Sequence, residues 1–350
     1  MTIPLEALKA VRTVISHGYP DGPCPDGISA AMLVKDVLPD AEIRFLAHNT
    51  KEHAELPARP AMMFVDIVPP AARVAAFVAA GAIVLDHHKS SRGLVELFKD
   101  KGVFGDEEAE PGVSGAVLAY RHVWSALIPF IPLQSRSASR SAWRACNGFW
   151  EDGRYEAQRV RAFAELAGVR DTWQTKDERW RKATIQAKVI RFFSPEEWLD
   201  GDPLNEKRLN TRLETLGETL MRRDEEHSRS LIASAFRFSN AHGVRVVVLP
   251  STLISDAAEA LRGEADVVVG FAYRVEKNDP QLRLSFRSRG AFDVSNIAKR
   301  LGGGGHTNAA GCALAADPVA TGPSNPYTLV REIFAPFGPD GSFSPEGGSK

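Results

Sequence analysis

The sequence predicts an α/β protein: an N-terminal domain built on a parallel sheet, a helical connector and a smaller C-terminal α/β domain. Three observations carry this. Short β-branched or apolar runs alternate with helix-forming stretches through the first hundred residues. A helical region with one repeating apolar stripe follows. Strand and helix signals then alternate again from about residue 240. Strands separated by helices need crossover connections, and these give parallel pairing in a sheet covered on both faces.

In order along the chain, residues 11–16 (VRTVIS) read as a strand, and 28–38 as a helix after a Gly/Pro/Asp loop. Residues 41–47 and 61–67 read as strands, 71–80 as a helix and 82–85 as a fully apolar strand. Residues 113–127 and 160–167 are apolar at helical spacing. Between them, the 134–150 segment carries Arg136, Arg140 and Arg144 at four-residue intervals and no acid until Glu151. A helix there would align the three arginines, as a solvated face or as a flap over an anionic ligand. Leu209, Leu213, Leu216 and Leu220 form one stripe, read as core packing. Residues 244–249, 266–275 and 282–287 read as strands, with helices at 255–262 and 294–301. The expected boundaries are 1–185 for the first domain, 186–238 for the connector, 239–338 for the second domain and 339–350 for a disordered Pro/Gly/Ser-rich tail.

Composition bounds the function. The 350 residues suit two domains at about 150 residues each. With 44% apolar and 25% charged residues, the balance is that of a soluble globular chain. Lys plus Arg number 43 against 44 Asp plus Glu, a net charge of −1. That excludes a globally basic nucleic-acid coat and an acidic tail protein, but not a local basic site. The longest uncharged apolar run, 74–85, is short of the roughly 20 residues that cross a bilayer, so no membrane association is expected. The N-terminus carries Glu6 and no continuous apolar core, so no signal peptide is read. Cys24, Cys146 and Cys312 lie far apart and form neither a disulfide framework nor a Cys-x-x-Cys pattern. A reduced, cytoplasmic protein is expected. P-loop, G-x-G-x-x-G and G-x-S-x-G motifs are absent from the sequence.

The chemistry gathers at strand ends, where parallel α/β sheets bind ligands. The first strand runs into His17, Asp21, Cys24 and Asp26; the third ends at Asp66; the fourth ends in Asp86-His87-His88. A carboxylate or imidazole placed after an apolar strand costs desolvation unless it is paired or binds a metal. Three such ends at one sheet edge make a site. Mixed imidazole and carboxylate donors suit Mn²⁺, Fe²⁺ or Zn²⁺ rather than Ca²⁺. Several together can hold two cations about 3.5–4 Å apart, the arrangement used for phosphoryl chemistry.

Asp86-His87-His88 after an apolar strand, with Asp66 upstream and an H-x-x-P-D-like motif at His17, resembles the DHH phosphoesterase superfamily. Arg170-Asp171-Thr172-Trp173 resembles its fourth motif. Residues 284–288 (LSFRS), Asp293-Val294-Ser295 and 302–311 (GGGGHTNAAG) are similar to the DHH-associated C-terminal domain. The resemblance covers about 1–180 and 240–315, and the superfamily includes RecJ-like exonucleases, nano-RNases, cyclic-dinucleotide phosphodiesterases and exopolyphosphatase-like members.

That resemblance implies two divalent cations, usually Mn²⁺, held by His17, Asp26, Asp66, His87 and Asp171, with Asp66 bridging. Asp86 would orient His87, and His88 would face the scissile phosphate, so Asp66, Asp86 and His88 are the expected catalytic set. The nucleophile would be a hydroxide activated by both cations. The first motif departs from the usual H-x-x-P-D-x-D: one register makes Asp21 a ligand, the other aligns Cys24, and both keep His17 and Asp26. A thiolate ligand would favour softer ions than Mn²⁺.

Residues 281–306 hold five basic side chains against Asp293, a net +4. Arg287, Ser288, Gly303, Gly304, Gly305, His306 and Asn308 are the expected substrate-binding residues, with Arg287 able to clamp a phosphate. The expected activity is hydrolysis of short oligonucleotides or small nucleotide phosphodiesters, because a polymer would need a longer basic track. The alternatives are a phosphomonoesterase or exopolyphosphatase on a small anion, and a non-catalytic nucleotide-binding module with a decayed first motif. Homodimers are common in the family. His48, His53 and His122 read as ordinary histidines, Trp173 as core or a base-stacking residue, and Gly112, Ser114 and Gly115 as a helix entry or a substrate contact.

Overall fold

The structure is a computed structural model and describes residues 3–19, 22–48, 50–131, 156–199, 210–251, 254–276, 279–315 and 325–344. Asp21, Asn49, Cys146, Leu209 and the arginine-bearing 134–150 segment lie outside the described residues. The chain divides into two compact units, Met1–Met221 and Arg222–Lys350.

In the first unit, α1 (Leu5–Ala10) precedes β1 (Thr13–Tyr19), which turns through β2 (Gly22–Pro23) into α2 (Pro25–Val37). Next come β3 (Glu42–Leu46), α3 (Lys51–Ala54), β4 (Met62–Val65), α4 (Val74–Ala79), β5 (Ile83–Asp86), α5 (Arg92–Glu96) and β6 (Gly102–Phe104). Five strands pair in parallel in the order β3-β1-β4-β5-β6, and β2 pairs antiparallel with the end of β1. The alternation of side chains along a strand sends Val14, Met63, Val65 and Leu85 to one core and Ile15, Phe64 and Val84 to the other. Both faces are therefore covered, as parallel sheets require. Sequence patterning does not mark β6, whose three residues are too short and too little buried to stand out.

The 113–127 stretch is not one uniform helix. It runs as α6 (Gly115–Ala119), a π-helical turn (Tyr120–Trp124) and α7 (Ser125–Leu127). α8 (Glu156–Asp171) follows, and Trp173 at φ 59° ends it in the left-handed conformation usual for a helix C-terminus. α9 (Trp180–Phe192) and α10 (Pro195–Leu199) bury Val189, Ile190 and Trp198 in the first unit's core. The expected connector at 186–238 is thus a shorter link. Its first third packs into the first unit, and its end pairs in the second sheet. Within α11 (Asn210–Ala233), Leu220 is buried and Leu216 packs on the first core, in keeping with a packing stripe.

The second unit is a six-stranded mixed sheet, ordered β11-β12-β10-β9-β8-β7. Its elements are β7 (Phe236–Ser239), β8 (Arg245–Leu249), α12 (Ser255–Ala260), β9 (Val267–Glu276), β10 (Asp279–Ser288), α13 (Val294–Arg300), β11 (Gly304–His306), β12 (Ala309–Ala315) and α14 (Pro326–Phe334). Only β8 and β9 pair in parallel. The tail is ordered further than expected. Phe343 bridges back to Phe337, and Asp293 N–H donates to Asp340 O at 3.1 Å. Among the described residues, no helix is long and apolar enough to cross a membrane.

Candidate metal centre

The strand ends meet as the sequence suggests. His17 lies near the end of β1, Asp26 in the first turn of α2, Asp66 just after β4, Asp86 at the end of β5, and Asp171 at the end of α8. His17, Asp26, Asp66, Asp86 and His87 are all buried. Within the first unit, two sets of donor atoms, His17/Asp66/His88 and Asp26/His87/Asp171, each lie within 4.8 Å of one another.

Asp66 stands between the groups. Its Oδ2 is 3.4 Å from His17 Nδ1, and its Oδ1 is 3.1 Å from His87 Nε2 and 3.9 Å from His88 Nδ1. The backbone there is left-handed (φ 59°), a conformation that, after glycine, short polar residues such as Asp and Asn tolerate best. His87 Nε2 also lies 3.5 Å from Asp171 Oδ2 and 3.7 Å from Asp26 Oδ2.

The entry to α6 positions Asp26. Ser114 Oγ donates to Asp26 Oδ1 at 2.7 Å, and the N–H groups of Gly115 and Ala116 donate to the same carboxylate at 2.7 and 3.1 Å. Ser114 is also the N-cap of α6, accepting from Val117 N–H. Gly115 is glycine because a Cβ there would stand 2.5 Å from Asp66 Cβ. Ser114 and Gly115 therefore hold the Asp26 carboxylate in place.

One expected role is corrected. Asp86 does not orient His87. Its Oδ1 lies 2.7 Å from His88 Nδ1, while its Oδ2 accepts from Ser91 Oγ. His87 Nδ1 instead faces Glu107 Oε1 at 2.7 Å. The cause is geometric. Asp86 is the last residue of β5, so a side chain two positions on returns to the same side of the strand, whereas the next one points away. Glu107 sits in an acidic loop with no recognisable motif.

His48 reads in sequence as an ordinary histidine, yet its ring lies 5.3 Å from that of His17 and 5.8 Å from that of His88. Burial, then the neighbouring His17 and His88, pushes it down to about 3, so it stays neutral. His53 is a structural histidine, with Nε2 2.8 Å from Val68 O.

The carboxyl groups of the site are strongly perturbed. Burial, then repulsion from Asp66 and Asp171, pushes the Asp26 carboxyl well up. Burial also raises Asp171. Burial alone would raise Asp66 too, but bonds from His17 and His87 outweigh it and hold it well down. For His87, burial is outweighed by the bonds to Asp66 and Glu107, and it is held well up. Three carboxylates crowded in a buried site are unfavourable without positive charge. The carboxylate and imidazole donor set fits Mn²⁺-like divalent ions.

Cys24 is buried and donates its S–H to Asp66 Oδ2 at 3.6 Å. Burial, then the charges of Asp66, Asp171 and Asp26, raises the thiol well above its ordinary value. Among the described residues, no such donor group includes it.

In the second unit, Arg287 Nε donates to Ser255 Oγ at 3.1 Å and Nη1 to Phe286 O at 2.9 Å. Ser288 is buried: its Oγ donates to Phe292 O at 2.6 Å and its backbone N–H to Asn308 O at 3.0 Å, so it ties its own turn to the loop carrying Asn308. Gly302 and Gly303 close α13, and Gly304, Gly305 and His306 form β11 against β12. The local positive charge is partly met: Arg289 pairs with Glu259, and Arg300 lies 3.5 Å over the Phe343 ring. Trp173 packs edge-on against Trp180, with the Arg170 guanidinium 4.3 Å and 4.8 Å from the two rings.

Comparison with known proteins agrees with this architecture. The DHHA1 domain model matches residues 244–321. No curated protein matches the chain. Among solved structures, the DHH domain of a member of a ribosomal-protein family is 14% identical at a TM-score of 0.50, covering 94% of this chain and 87% of that one. A pGpG-specific phosphodiesterase, PggH, from Vibrio cholerae is 14% identical (TM-score 0.40; 93% of this chain, 99% of that one). An exopolyphosphatase-related protein from Bacteroides fragilis is 8% identical (TM-score 0.39; 95% of each chain). The second unit thus carries a match to the DHHA1 domain, and the chain has the fold of a DHH-domain protein over nearly its whole length.

Proposed function

We propose that this protein is a divalent-metal-dependent phosphoesterase that hydrolyses short oligonucleotides or small nucleotide phosphodiesters. The observation that carries the proposal is Asp66, which shares one buried donor group with His17 and His88 and reaches His87 of the adjacent group at 3.1 Å. His17, Asp26, Asp66, His87 and Asp171 would hold two divalent cations, with Mn²⁺ as the expected ion. Bound there, such cations lower the pKa of water and polarise a phosphate oxygen.

The chain's own groups do the rest. The α6 entry fixes Asp26 through three donors, so that ligand is set before substrate arrives. Burial alone would lower His88, but the Asp86 charge and hydrogen bond outweigh it and hold His88 up at about 9. The Asp86 carboxylate thus favours the protonated form of His88. With Nδ1 turned to Asp86, its Nε2 proton is the one to give to the leaving oxygen. Arg287 would engage a phosphate of the substrate, and Gly303, Gly304, Gly305, His306 and Asn308 would line the same recognition surface. A cytoplasmic location is part of this proposal.

The test is a turnover panel with and without Mn²⁺: an RNA dinucleotide, an RNA five-mer, a linear cyclic-dinucleotide product, adenosine 3′,5′-bisphosphate and polyphosphate. Mn²⁺-dependent release of nucleoside monophosphates from the short oligonucleotides is expected. Turnover of polyphosphate alone would move the assignment to an exopolyphosphatase. Silence across the panel with no metal bound would make the chain a binding module.

A further inference from the structure

His87 and His88 are neighbours in sequence, yet each has its own carboxylate. His88 has Asp86 from its own strand. His87 has Glu107, twenty residues on, from the loop between β6 and α6. That loop carries four acids: Asp106, Glu107, Glu108 and Glu110. Three of them point outward to cations. Asp106 lies 3.3 Å from Arg92, Glu108 lies 3.0 Å from Lys89, and Glu110 pairs with Arg121. Glu107 turns inward, with 27% of its side chain exposed, and meets His87 at 2.7 Å. The start of the loop is tied down as well. Gly105 N–H donates to Asp86 O at 2.9 Å, and a Cβ at Gly105 would stand 3.2 Å from His87 Cβ.

We infer that Glu107 is the positioning residue for His87: a loop pinned by outward ion pairs holds its carboxylate against Nδ1 and locks the imidazole as the Nδ1–H tautomer. Nε2 would then be the nitrogen left to give its lone pair to a bound cation, and it is the one that faces Asp66, Asp171 and Asp26. The physical reason is general. An imidazole offers a metal one nitrogen, and a hydrogen bond on the other fixes both its tautomer and its ring orientation. Each outward ion pair alone is worth little at an exposed site. With the other three acids paired outward, Glu107 is the one that turns inward.

This rests on the metal reading of the site, and the experiment separates the two. Mn²⁺ binding is measured by calorimetry on full-length wild type, Glu107→Gln and Glu107→Ala, alongside ¹⁵N-histidine NMR of the Zn²⁺-loaded proteins. Glu107→Ala is expected to weaken binding by about 10–100-fold, the usual effect of losing such a partner. It should also remove the slowly exchanging Nδ1–H signal of His87. Glu107→Gln keeps an acceptor oxygen and should restore most of both. Wild-type affinity and an unchanged His87 signal in Glu107→Ala would overturn the inference and leave the metal site standing. Failure of the wild type to bind Mn²⁺ would overturn both. Loss of binding in Glu107→Gln equal to that in Glu107→Ala would show a direct ligand instead of a positioning residue. Circular dichroism on each variant excludes unfolding as the cause.

Discussion

His88 Nδ1 sits 2.7 Å from Asp86 Oδ1, with the aspartate fully buried and the imidazole largely so. The pair is mutually reinforcing: His88 is held up at about 9 and Asp86 down at about 2. For Asp86, burial alone would raise the carboxyl, and the His88 charge and hydrogen bond outweigh it.

The pair predicts a pH window for stability. A histidine raised above its ordinary value of about 6.5 contributes fully below that pH and loses its contribution as pH rises through about 9. An aspartate depressed below about 4 contributes above that pH and loses its contribution as pH falls through about 2. Metal-free protein should therefore lose thermal stability as pH rises from about 6.5 to about 9. Asp86→Asn should flatten that alkaline limb. A melting series with identical slopes in wild type and Asp86→Asn would remove the pair from the stability account.

Gly115 predicts a steric lesion in the site. A Cβ there meets Asp66 Cβ at 2.5 Å and Asp26 Oδ2 at 2.8 Å, and neither is the free end of a flexible chain. Gly115→Ala should shift both carboxylates and weaken Mn²⁺ binding by at least tenfold, the factor that about 1.4 kcal/mol gives. Binding equal to wild type would mean that the entry of α6 does not set Asp26.

Cys24 is expected to act as a thiol donor to Asp66. Cys24→Ser keeps a donor, so Mn²⁺ affinity should stay within about tenfold, the worth of one neutral hydrogen bond. A far larger loss, with a switch in metal preference, would make Cys24 a thiolate ligand.

Arg287 is proposed to hold substrate, not metal. Arg287→Ala should raise KM more than it lowers kcat and leave Mn²⁺ binding unchanged. An unchanged KM would remove it from the recognition surface.

The parallel sheet and its ligand-bearing ends are legible in the sequence because both follow from local pattern. Apolar runs such as 82–85 mark buried strands, and the polar residues that follow them, Asp66 and Asp86-His87-His88, stand out by contrast. What the sequence conceals is long-range. Glu107 is one acid among four in its loop, and only the ion pairs of its neighbours reveal which one turns inward. His48 follows an ordinary strand, and only the fold brings its ring against His17 and His88. Ser114 and Gly115 read as a helix entry, which they are, but their partner Asp26 lies 88 and 89 residues earlier. The connector is shorter than its pattern implies because an amphipathic helix shows the same stripe whether it links domains or joins a core, as α9 does.

The central claim is that Asp66 joins two cation sites. It is tested most directly by calorimetric Mn²⁺ titration of wild type and Asp66→Asn, with dinucleotide turnover on the same samples. Asn tolerates the left-handed backbone at this position, so the variant removes the carboxylate charge without adding strain. The account predicts two bound Mn²⁺ per wild-type chain, and for Asp66→Asn loss of at least one ion together with all turnover. Full turnover or undiminished two-ion binding in Asp66→Asn would contradict it.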